Sequence, residues 1–256
     1  MDYTGIIIDN SVEPKRVPAS HGWLWITDAF RLFFRHWWQW LLLTAITLTI
    51  LMGVMLIPVL GMITPVIAPV LLAGIAWAAN ESRVNNRAPA VPDLFNGLKT
   101  HARSLLGVGL IYAIGTMIIV MILGGLSALL ISPDQIAAIR SAETTHEIPD
   151  LGAGSLVFIL LFFFGMLVMN SIYFFAPQLV VLRNMRAVEA MRTSYLAFWR
   201  NWLPLTVAGL ILMVLAVIAS LPMMLGLIIL LPVSLLFNYC CYADVFSEFS
   251  DIPPHP

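Results

Sequence analysis

Four polar side chains interrupt long apolar stretches of this sequence: Asn170, Ser171, Gln178 and Asn238. Their amide and hydroxyl groups both donate and accept hydrogen bonds. Between membrane helices such bonds are worth about 0.6–2 kcal/mol, so one interpretation of these residues is structural. The alternative is that they contact a substrate or a lipid headgroup inside the membrane.

The same stretches contain no Asp, Glu, Lys or Arg and no recognisable catalytic motif. The sequence has no HExxH zinc motif, no Gly-x-Ser-x-Gly nucleophile motif and no Walker phosphate loop. An ionised residue inside the bilayer costs about 2.5–3.5 kcal/mol on insertion scales and usually marks function, and none is present. His21, His36 and His101 lie in polar segments without ligand spacing. We therefore expect a protein that is not an enzyme, with no catalytic, metal-binding or cofactor-binding residue.

A second group of candidates combines tryptophan and arginine in polar segments beside the apolar stretches. Aromatic and basic side chains of this kind are typical of helices that lie in the headgroup region. One interpretation is that anionic lipid orients these segments. The other is a docking surface for a partner protein or a lipid substrate. The candidate interface residues are Trp23, Trp25, Arg31, Arg35, Trp37, Arg192, Trp199, Arg200 and Trp202.

The elements that must position these residues follow from the distribution of charge. No Asp, Glu, Lys or Arg occurs in residues 36–80, 104–133, 151–182 or 201–243, runs of 45, 30, 32 and 43 residues. A helix needs about 20 apolar residues to cross a bilayer. The two shorter runs therefore predict one span each, and the two longer runs predict a hairpin of two spans each. The sequence predicts six transmembrane helices.

The composition agrees with an integral membrane protein. Hydrophobic residues make up 60% of the 256 positions and charged residues 11%, and the mean hydropathy is +0.92. Soluble domains average about 45–50% apolar and about 25% charged residues. The net charge of −1 gives no reason to expect a nucleic acid partner. Cys240 and Cys241 are adjacent in the last run and are predicted to be small apolar fillers.

The basic residues predict the orientation. Twelve of the thirteen Lys and Arg residues fall within residues 15–35, 83–103 and 183–200, and only Arg140 lies in the loop 134–150. With six spans, these three basic segments share one side, together with all eight tryptophans. The positive-inside rule then places both termini in the cytoplasm. We expect a multi-pass protein of the bacterial inner membrane.

The two long runs also contain a repeat. Four residues recur at a constant offset of 165, where Phe30, Phe33, Arg35 and Trp37 match Tyr195, Phe198, Arg200 and Trp202. A looser version follows in the middle of the chain. We predict three parallel hairpin repeats, over about residues 22–83, 92–182 and 187–242. Each has an interfacial amphipathic helix, an outgoing span and a returning span.

The returning spans contain Pro69, Pro177 and Pro232. Proline frees a carbonyl group that needs a neighbour in lipid, so these spans are predicted to pack inside the bundle. Small residues four positions apart indicate close helix contacts. The predicted contact pairs are Gly74 with Ala78, Gly109 with Ala113, Gly124 with Ala128, and Ala216 with Ser220.

The loop after the third span predicts a short helix on the opposite side of the membrane. Ser132 is a typical N-cap, proline follows it, and Gln135 lies three positions beyond the cap. This helix is predicted over about 133–142, with Ile136 and Ile139 directed inward. The hairpin tips around 58–61 and 222–226 carry no charge and are expected to lie shallow in the membrane.

The chain resembles a family of uncharacterised proteobacterial inner-membrane proteins. The resemblance covers about residues 18–242 and rests on the following motifs: Pro18-Ala19-x-x-Gly22-Trp23-x-Trp25, Phe30-x-x-Phe33, Ala68-Pro69-x-Leu71, Leu94-Phe95-x-Gly97 and a later aromatic-Arg-Asn-Trp segment. More distantly, the chain is similar to YciC-like proteins and to the membrane domain of some glycerophosphodiester phosphodiesterases. These motifs imply a shared membrane fold, and they imply no catalytic residues.

Together the patterns predict an all-α polytopic protein with three parts. Residues 1–21 are a cytoplasmic arm, 22–243 the six-helix domain and 244–256 a cytoplasmic tail. The expected function is non-catalytic, as an accessory, assembly or scaffold factor. The expected partners are membrane lipids and another inner-membrane protein or complex. The alternative is a small transporter or lipid-handling protein with a pathway between the proline-kinked helices.

Overall fold

The computed structural model describes most of the chain, and the described part is helical. The described residues are 13–57, 61–132, 134–135, 137, 141 and 152–246. Every regular element within these ranges is a helix, which confirms the predicted all-α class. Much of the predicted arm 1–21 and of the predicted tail 244–256 lies outside the described residues.

The described helices connect in simple chain order. The α-helices are α1 (His21–Arg35), α2 (Trp37–Met55), α3 (Thr64–Val84), α4 (Asn96–Leu130), α5 (Gly152–Tyr173), α6 (Ala176–Arg183), α7 (Ala187–Arg200), α8 (Trp202–Ser220) and α9 (Leu227–Val245). A short 3-10 helix, Val91–Phe95, precedes α4. In α1 and α7 one face is buried and the other is exposed, as expected for amphipathic helices.

Six helical segments of the described chain are long and apolar enough to cross a membrane. They are α2, α3, α4 with its preceding 3-10 helix, the α5–α6 pair, α8 and α9. Their number and order match the prediction from the charge-free runs, so the six-span class is confirmed. Each long run forms two spans because 43–45 residues exceed twice the length that a bilayer requires.

The helices that contain Pro69, Pro177 and Pro232 form the centre of the bundle. In their most apolar stretches, α3 and α9 bury 50% and 61% of the residues, against 22% in α2 and 11% in α8. The short helix α6 is buried from Ala176 to Val181 and includes Pro177. The prediction that these helices pack inside is confirmed for α3 and α9. In the fourth span it holds only for α6, because the most apolar stretch of that span is 11% buried. Cys240 and Cys241 are buried free thiols in the same core, as predicted for apolar fillers.

A side chain from a distant helix stabilises the break between α5 and α6. Proline at position 177 cannot continue the hydrogen-bond ladder of a helix. The backbone N–H of Phe175 donates instead to Ser194 Oγ at 2.9 Å. Ser194 in turn donates to the carbonyl of Ser171 at 2.9 Å. One buried hydroxyl on α7 therefore satisfies backbone groups on both sides of the break.

Each amphipathic segment joins the next span through a similar backbone turn. His36 between α1 and α2 has φ −141° and ψ 51°. His101 inside α4 has φ −133° and ψ 26°, and Asn201 between α7 and α8 has φ −117° and ψ 27°. These non-helical angles bend the chain where an interfacial segment ends and a span begins.

The first amphipathic helix packs against the last hairpin. α1 contacts α8 and α9, while α7 contacts α4, α5 and α6. A Cβ atom added to Gly22 of α1 would lie 3.2 Å from the Cβ of Val207 on α8. A Cβ atom added to Gly107 of α4 would likewise lie 3.2 Å from the Cβ of Ala187 on α7. Each of the two amphipathic helices therefore closely approaches a long apolar helix other than the one that directly follows it in the chain.

Two of the predicted small-residue contacts are confirmed and one is wrong. A Cβ atom on Gly109 would lie 2.5 Å from Val66 Cα, so α3 and α4 approach closely there. Gly74 is equally close to the backbone of Leu94. Around Gly124 no described atom lies within 4 Å of such an atom, because this part of α4 faces outward. Among the described residues, Gly124 therefore makes no close helix contact.

The predicted cap after the third span is confirmed, although most of its helix lies outside the described residues. The backbone N–H of Ser132 donates to Gln135 Oε1 at 2.9 Å, and the N–H of Gln135 donates to Ser132 Oγ at 3.3 Å. Ile136 and Ile139 are not among the described residues, nor is most of the tip 58–61. At the other tip, Met223 is 90% exposed.

Candidate functional site

The predicted intramembrane polar residues separate into an inner pair and an outer surface. Gln178 on α6 donates a hydrogen bond to Asn238 on α9, and Gln178 is buried. This bond joins two of the three central helices. The Gln178 Oε1 atom is buried without a hydrogen-bond partner in the described chain. The inner pair thus holds the core together and borders neither of the two cavities described below.

Asn170 and Ser171 are adjacent on α5 but differ in exposure. Ser171 is buried and donates to the carbonyl of Val168 in its own helix at 2.7 Å. The hypothesis of a side-chain bond from Ser171 across helices is therefore wrong, because a carbonyl of the preceding turn lies closer. Asn170 is exposed on the outer side of α5, and its amide makes no hydrogen bond with a described residue. It is therefore the amide available to a ligand.

Asn170 lines a lateral cavity, here named the Asn170 groove. The groove lies between α5, α7 and α8, with Phe237 of α9 also in its lining, and has a volume of about 320 Å³. It joins Asn170 to two predicted interface residues, Trp199 and Trp202, which sequence reasoning treated as a separate group. The indole N–H of Trp199 is buried without a partner in the described chain. The lining is Leu167, Asn170, Phe174, Phe198, Trp199, Trp202, Leu205, Thr206, Gly209 and Phe237.

A second cavity, here named the Arg192 groove, lies on the other side of α7. It is bounded by α4, α5 and α7 and has a volume of about 380 Å³. Its lining is apolar except at Arg192 and Tyr195, and both of these residues are exposed. The complete lining is Ile111, Ile172, Val188, Met191, Arg192 and Tyr195. The residues of α7 recur at helical spacing, so one face of this helix forms the wall.

Most of the predicted tryptophan and arginine interface is exposed. Trp23, Trp37 and Trp202 are 56%, 54% and 53% exposed. Trp199 is half-buried, and the predicted arginines are exposed, namely Arg31, Arg35, Arg192 and Arg200. Large exposed indoles beside cationic groups are suited to contact with lipid headgroups or with a partner surface.

Trp25 is the exception. The prediction that it belongs to the interface is wrong, because its side chain is buried. It is 1% exposed, and its indole N–H donates to Asp244 Oδ2 at 2.7 Å. The same carboxylate oxygen lies 2.7 Å from Nδ1 of His21. The indole is buried because α1 packs against the end of α9, and the hydrogen bond to Asp244 satisfies its N–H group there. The signal in the sequence was Asp244 itself, the first charge after the last apolar run.

Asn201 is a second residue that sequence reasoning missed. It is fully buried, and its Nδ2 donates to the carbonyl of Lys15 at 2.8 Å. Its Oδ1 accepts the backbone N–H of Val17 at 2.9 Å. The N–H of Lys15 also donates to the carbonyl of Val245 at 2.8 Å. The segment before α1 is thereby fixed between the α7–α8 junction and the end of α9.

An ion-paired cluster lies between α3 and the 3-10 helix. Arg87 Nη2 donates to Asp93 Oδ1 at 2.8 Å, and Arg87 Nε lies 3.5 Å from Glu81 Oε2. The hydrogen bond to Asp93 raises the pKa of Arg87. Asp93 also accepts the N–H of Ala90 at 2.8 Å, which starts the 3-10 helix. The cluster fixes a connection between helices.

Comparison with known proteins identifies no relative of this chain. No protein-family model, no curated protein and no solved structure matches this chain. Within the described residues, no three His, Cys, Asp or Glu side chains are grouped to hold a metal ion. The two lateral grooves and the exposed tryptophan and arginine surface are therefore the candidate functional site.

Proposed function

We propose that this chain is a non-catalytic integral membrane protein that acts as an accessory, assembly or scaffold factor for other membrane proteins or for lipids. The observation that carries the proposal is the division between inner and outer helices. The central helices α3, α6 and α9 are packed together, while the outer faces of α2, α4, α5 and α8 are exposed and apolar. These exposed faces form a lateral surface on which lipids or another membrane protein would bind within the membrane.

The polar groups of the core support a structural use of the interior. Gln178 and Asn238 bond each other, and Ser171 and Ser194 stabilise the break before Pro177. The two grooves open along the outer surface beside α7 instead. This arrangement favours contact with lipids and with another membrane protein over chemistry in the interior.

The bacterial inner membrane with both termini in the cytoplasm remains the proposed location. The basic residues and tryptophans support it, because the charge bias of short loops governs orientation. The resemblance to uncharacterised inner-membrane proteins points the same way. On this proposal, α1 and α7 lie at the cytoplasmic surface, and the Ser132–Gln135 cap lies on the opposite side.

We also propose the three parallel hairpin units as the internal organisation. The similar turns at His36, His101 and Asn201 support this arrangement, since each precedes an outgoing span. The contact of Gly22 with Val207 and that of Ala187 with Gly107 support it further. Positions 22 and 187 differ by the same 165 residues as the sequence repeat. Each amphipathic helix would then brace the preceding unit in a ring.

A small transporter or lipid-handling protein is the second candidate function. The Asn170 groove favours it, because an unpaired amide faces a cavity in the membrane surface. However, the groove lies along the outer surface, and Phe237 is its only lining residue from the central helices α3, α6 and α9. A lipid could bind there sideways without crossing the core, so the groove supports lipid handling more directly than transport.

The proposal is tested by affinity purification of the chain in native nanodiscs, with proteins and lipids identified together. A scaffold or accessory factor is expected to recover one membrane protein at a fixed stoichiometry. Arg31→Glu on α1 and Arg200→Glu on α7 serve as paired variants, since both arginines are exposed on different helices. A partner that docks on one face should be lost in only one of these two variants. Recovery of the chain as a monomer with lipid alone would contradict the proposed scaffold function.

A further inference from the structure

We propose that the Arg192 groove is a binding site for one anionic phospholipid. The phosphate would contact Arg192 and Tyr195, and an acyl chain would lie against Ile111 and Ile172. This inference goes beyond the proposed function, which names lipids only as a class. It assigns a particular site, a headgroup charge and the residues that recognise it.

The groove has a polar end and an apolar end, as a membrane lipid has. Arg192 and Tyr195 come from the amphipathic helix α7, which on the proposed topology lies in the headgroup region. Ile111 of α4 and Ile172 of α5 belong to spans and form the apolar part of the lining. The volume of about 380 Å³ falls within the range of about 300–1,000 Å³ that is usual for ligand sites. A charged head and an apolar tail fit this order of residues.

The charge at the mouth favours an anionic headgroup. Arg192 forms no ion pair among the described residues, and Glu189 on the same helix is not within ion-pair distance of it. Arg103 adds a second exposed cation on α4, one turn before Gly107, which contacts Ala187 of α7. A guanidinium group binds phosphate oxygens through two parallel hydrogen bonds. The phosphate of a lipid would complete this arrangement.

A protein helix is a poorer occupant of the same groove. An apolar helix from a second copy would cover Arg192 without an opposite charge, and an unpaired charge buried in an interface is costly. A free phosphate ion would pair with Arg192 but leave the apolar surface of Ile111 and Val188 uncovered. Only a molecule with both an anionic group and a hydrocarbon chain matches the whole lining.

The test uses the purified full chain in a non-ionic detergent, with lipid binding followed by native mass spectrometry. Dioleoyl phosphatidylglycerol and dioleoyl phosphatidylcholine have the same acyl chains and differ in net charge. We expect the native chain to bind phosphatidylglycerol about fivefold more tightly, as expected for about 1 kcal/mol per arginine near a charged headgroup. Arg192→Gln should bring the ratio close to one, and Arg192→Lys should retain much of it.

Arg16→Gln is the control, because Arg16 is an exposed arginine before α1 that neither lines the groove nor belongs to the candidate interface. It should leave the ratio unchanged. Val188→Trp should weaken binding of both lipids by filling the groove, and thermal unfolding of each variant checks that the fold is intact.

Four results would overturn the proposal. The first three are equal losses in the Arg192→Gln and Arg16→Gln variants, no headgroup preference in the native chain, or a dimer that Val188→Trp abolishes while lipid binding persists. Displacement of the lipid by millimolar inorganic phosphate would instead show that an ion suffices, and would also overturn it. Because only the purified chain is used, the result does not depend on whether nanodisc purification recovers a protein partner.

Discussion

Replacing Gly109 by alanine is expected to destabilise the bundle, whereas the same change at Gly124 should not. Both glycines are in α4, so the two substitutions are compared in the same helix. Gly109 is buried and Gly124 is exposed. A Cβ atom at position 109 would lie 2.5 Å from Val66 Cα and 2.6 Å from the carbonyl oxygen of Pro65. Non-bonded carbon atoms normally stay about 3.5–4.0 Å apart, so α3 and α4 would have to separate by about 1 Å.

The two substitutions should therefore differ in sign. Overpacking a tight contact costs about 1–3 kcal/mol, and backbone atoms are unable to rotate away as a side chain does. Alanine also gains about 0.8–1.0 kcal/mol over glycine in helix propensity. At Gly124 no described atom lies within 4 Å, so only the gain remains. The gain in helix propensity is the same in both variants, so we expect Gly109→Ala to be less stable than Gly124→Ala by the overpacking cost, roughly 1–3 kcal/mol.

Reversible unfolding of both variants in mixed detergent micelles measures this difference directly. The unfolding of the native chain and of both variants is followed in parallel. Their free energies of unfolding are then compared at one detergent composition. If the two variants unfold within about 0.5 kcal/mol of each other, close packing of α3 on α4 is the wrong explanation for Gly109. A destabilised Gly124→Ala variant would equally contradict the reasoning.

Three further predictions concern polar contacts. Asn201→Ala should cost about 1–3 kcal/mol, because two backbone groups lose their partner, and trypsin should then cleave faster in the segment before α1. Gln178→Leu should cost about 0.6–2 kcal/mol in unfolding assays, and adding Asn238→Leu should restore part of the loss; strictly additive losses would argue against their hydrogen bond. Burial, and then the nearby charge of Arg35, lower the pKa of His36 below 6.5. The unfolded chain then binds this proton more tightly, so stability should fall as the pH drops below about 6.5, and His36→Gln should reduce that loss in pH-dependent unfolding.

The spans were predictable because the membrane imposes a one-dimensional rule on length and polarity. Charge-free runs gave the number of helices, and prolines indicated which helices lie inside, since the carbonyl groups that they free need protein neighbours. The Ser132–Gln135 cap was predictable because its hydrogen bonds join residues three positions apart. These features depend on local sequence alone.

The polar contacts that close the bundle were not predictable in the same way. Asn201 bonds a residue 186 positions away, and Trp25 bonds Asp244 across 219 positions. Nothing in a single sequence relates positions at such separations, since the contacts exist only after the helices assemble. The grooves depend on the same assembly. Asn170 and Trp199 were placed in separate groups, although α5 and α7 bring them to one surface.

The distribution of satisfied and unsatisfied polar groups connects the fold to its proposed role. Long-range bonds from Asp244, Asn201 and Ser194 occupy buried polar atoms where helices meet. Asn170 and Arg192 instead face the two lateral grooves without a described partner. Asn170 belongs to a span, where an unpaired polar group costs several kcal/mol, whereas Arg192 lies in the headgroup region on the proposed topology. Lipid headgroups and glycerol esters can supply hydrogen-bond partners to both residues, as the proposal of lipid binding at the lateral grooves requires.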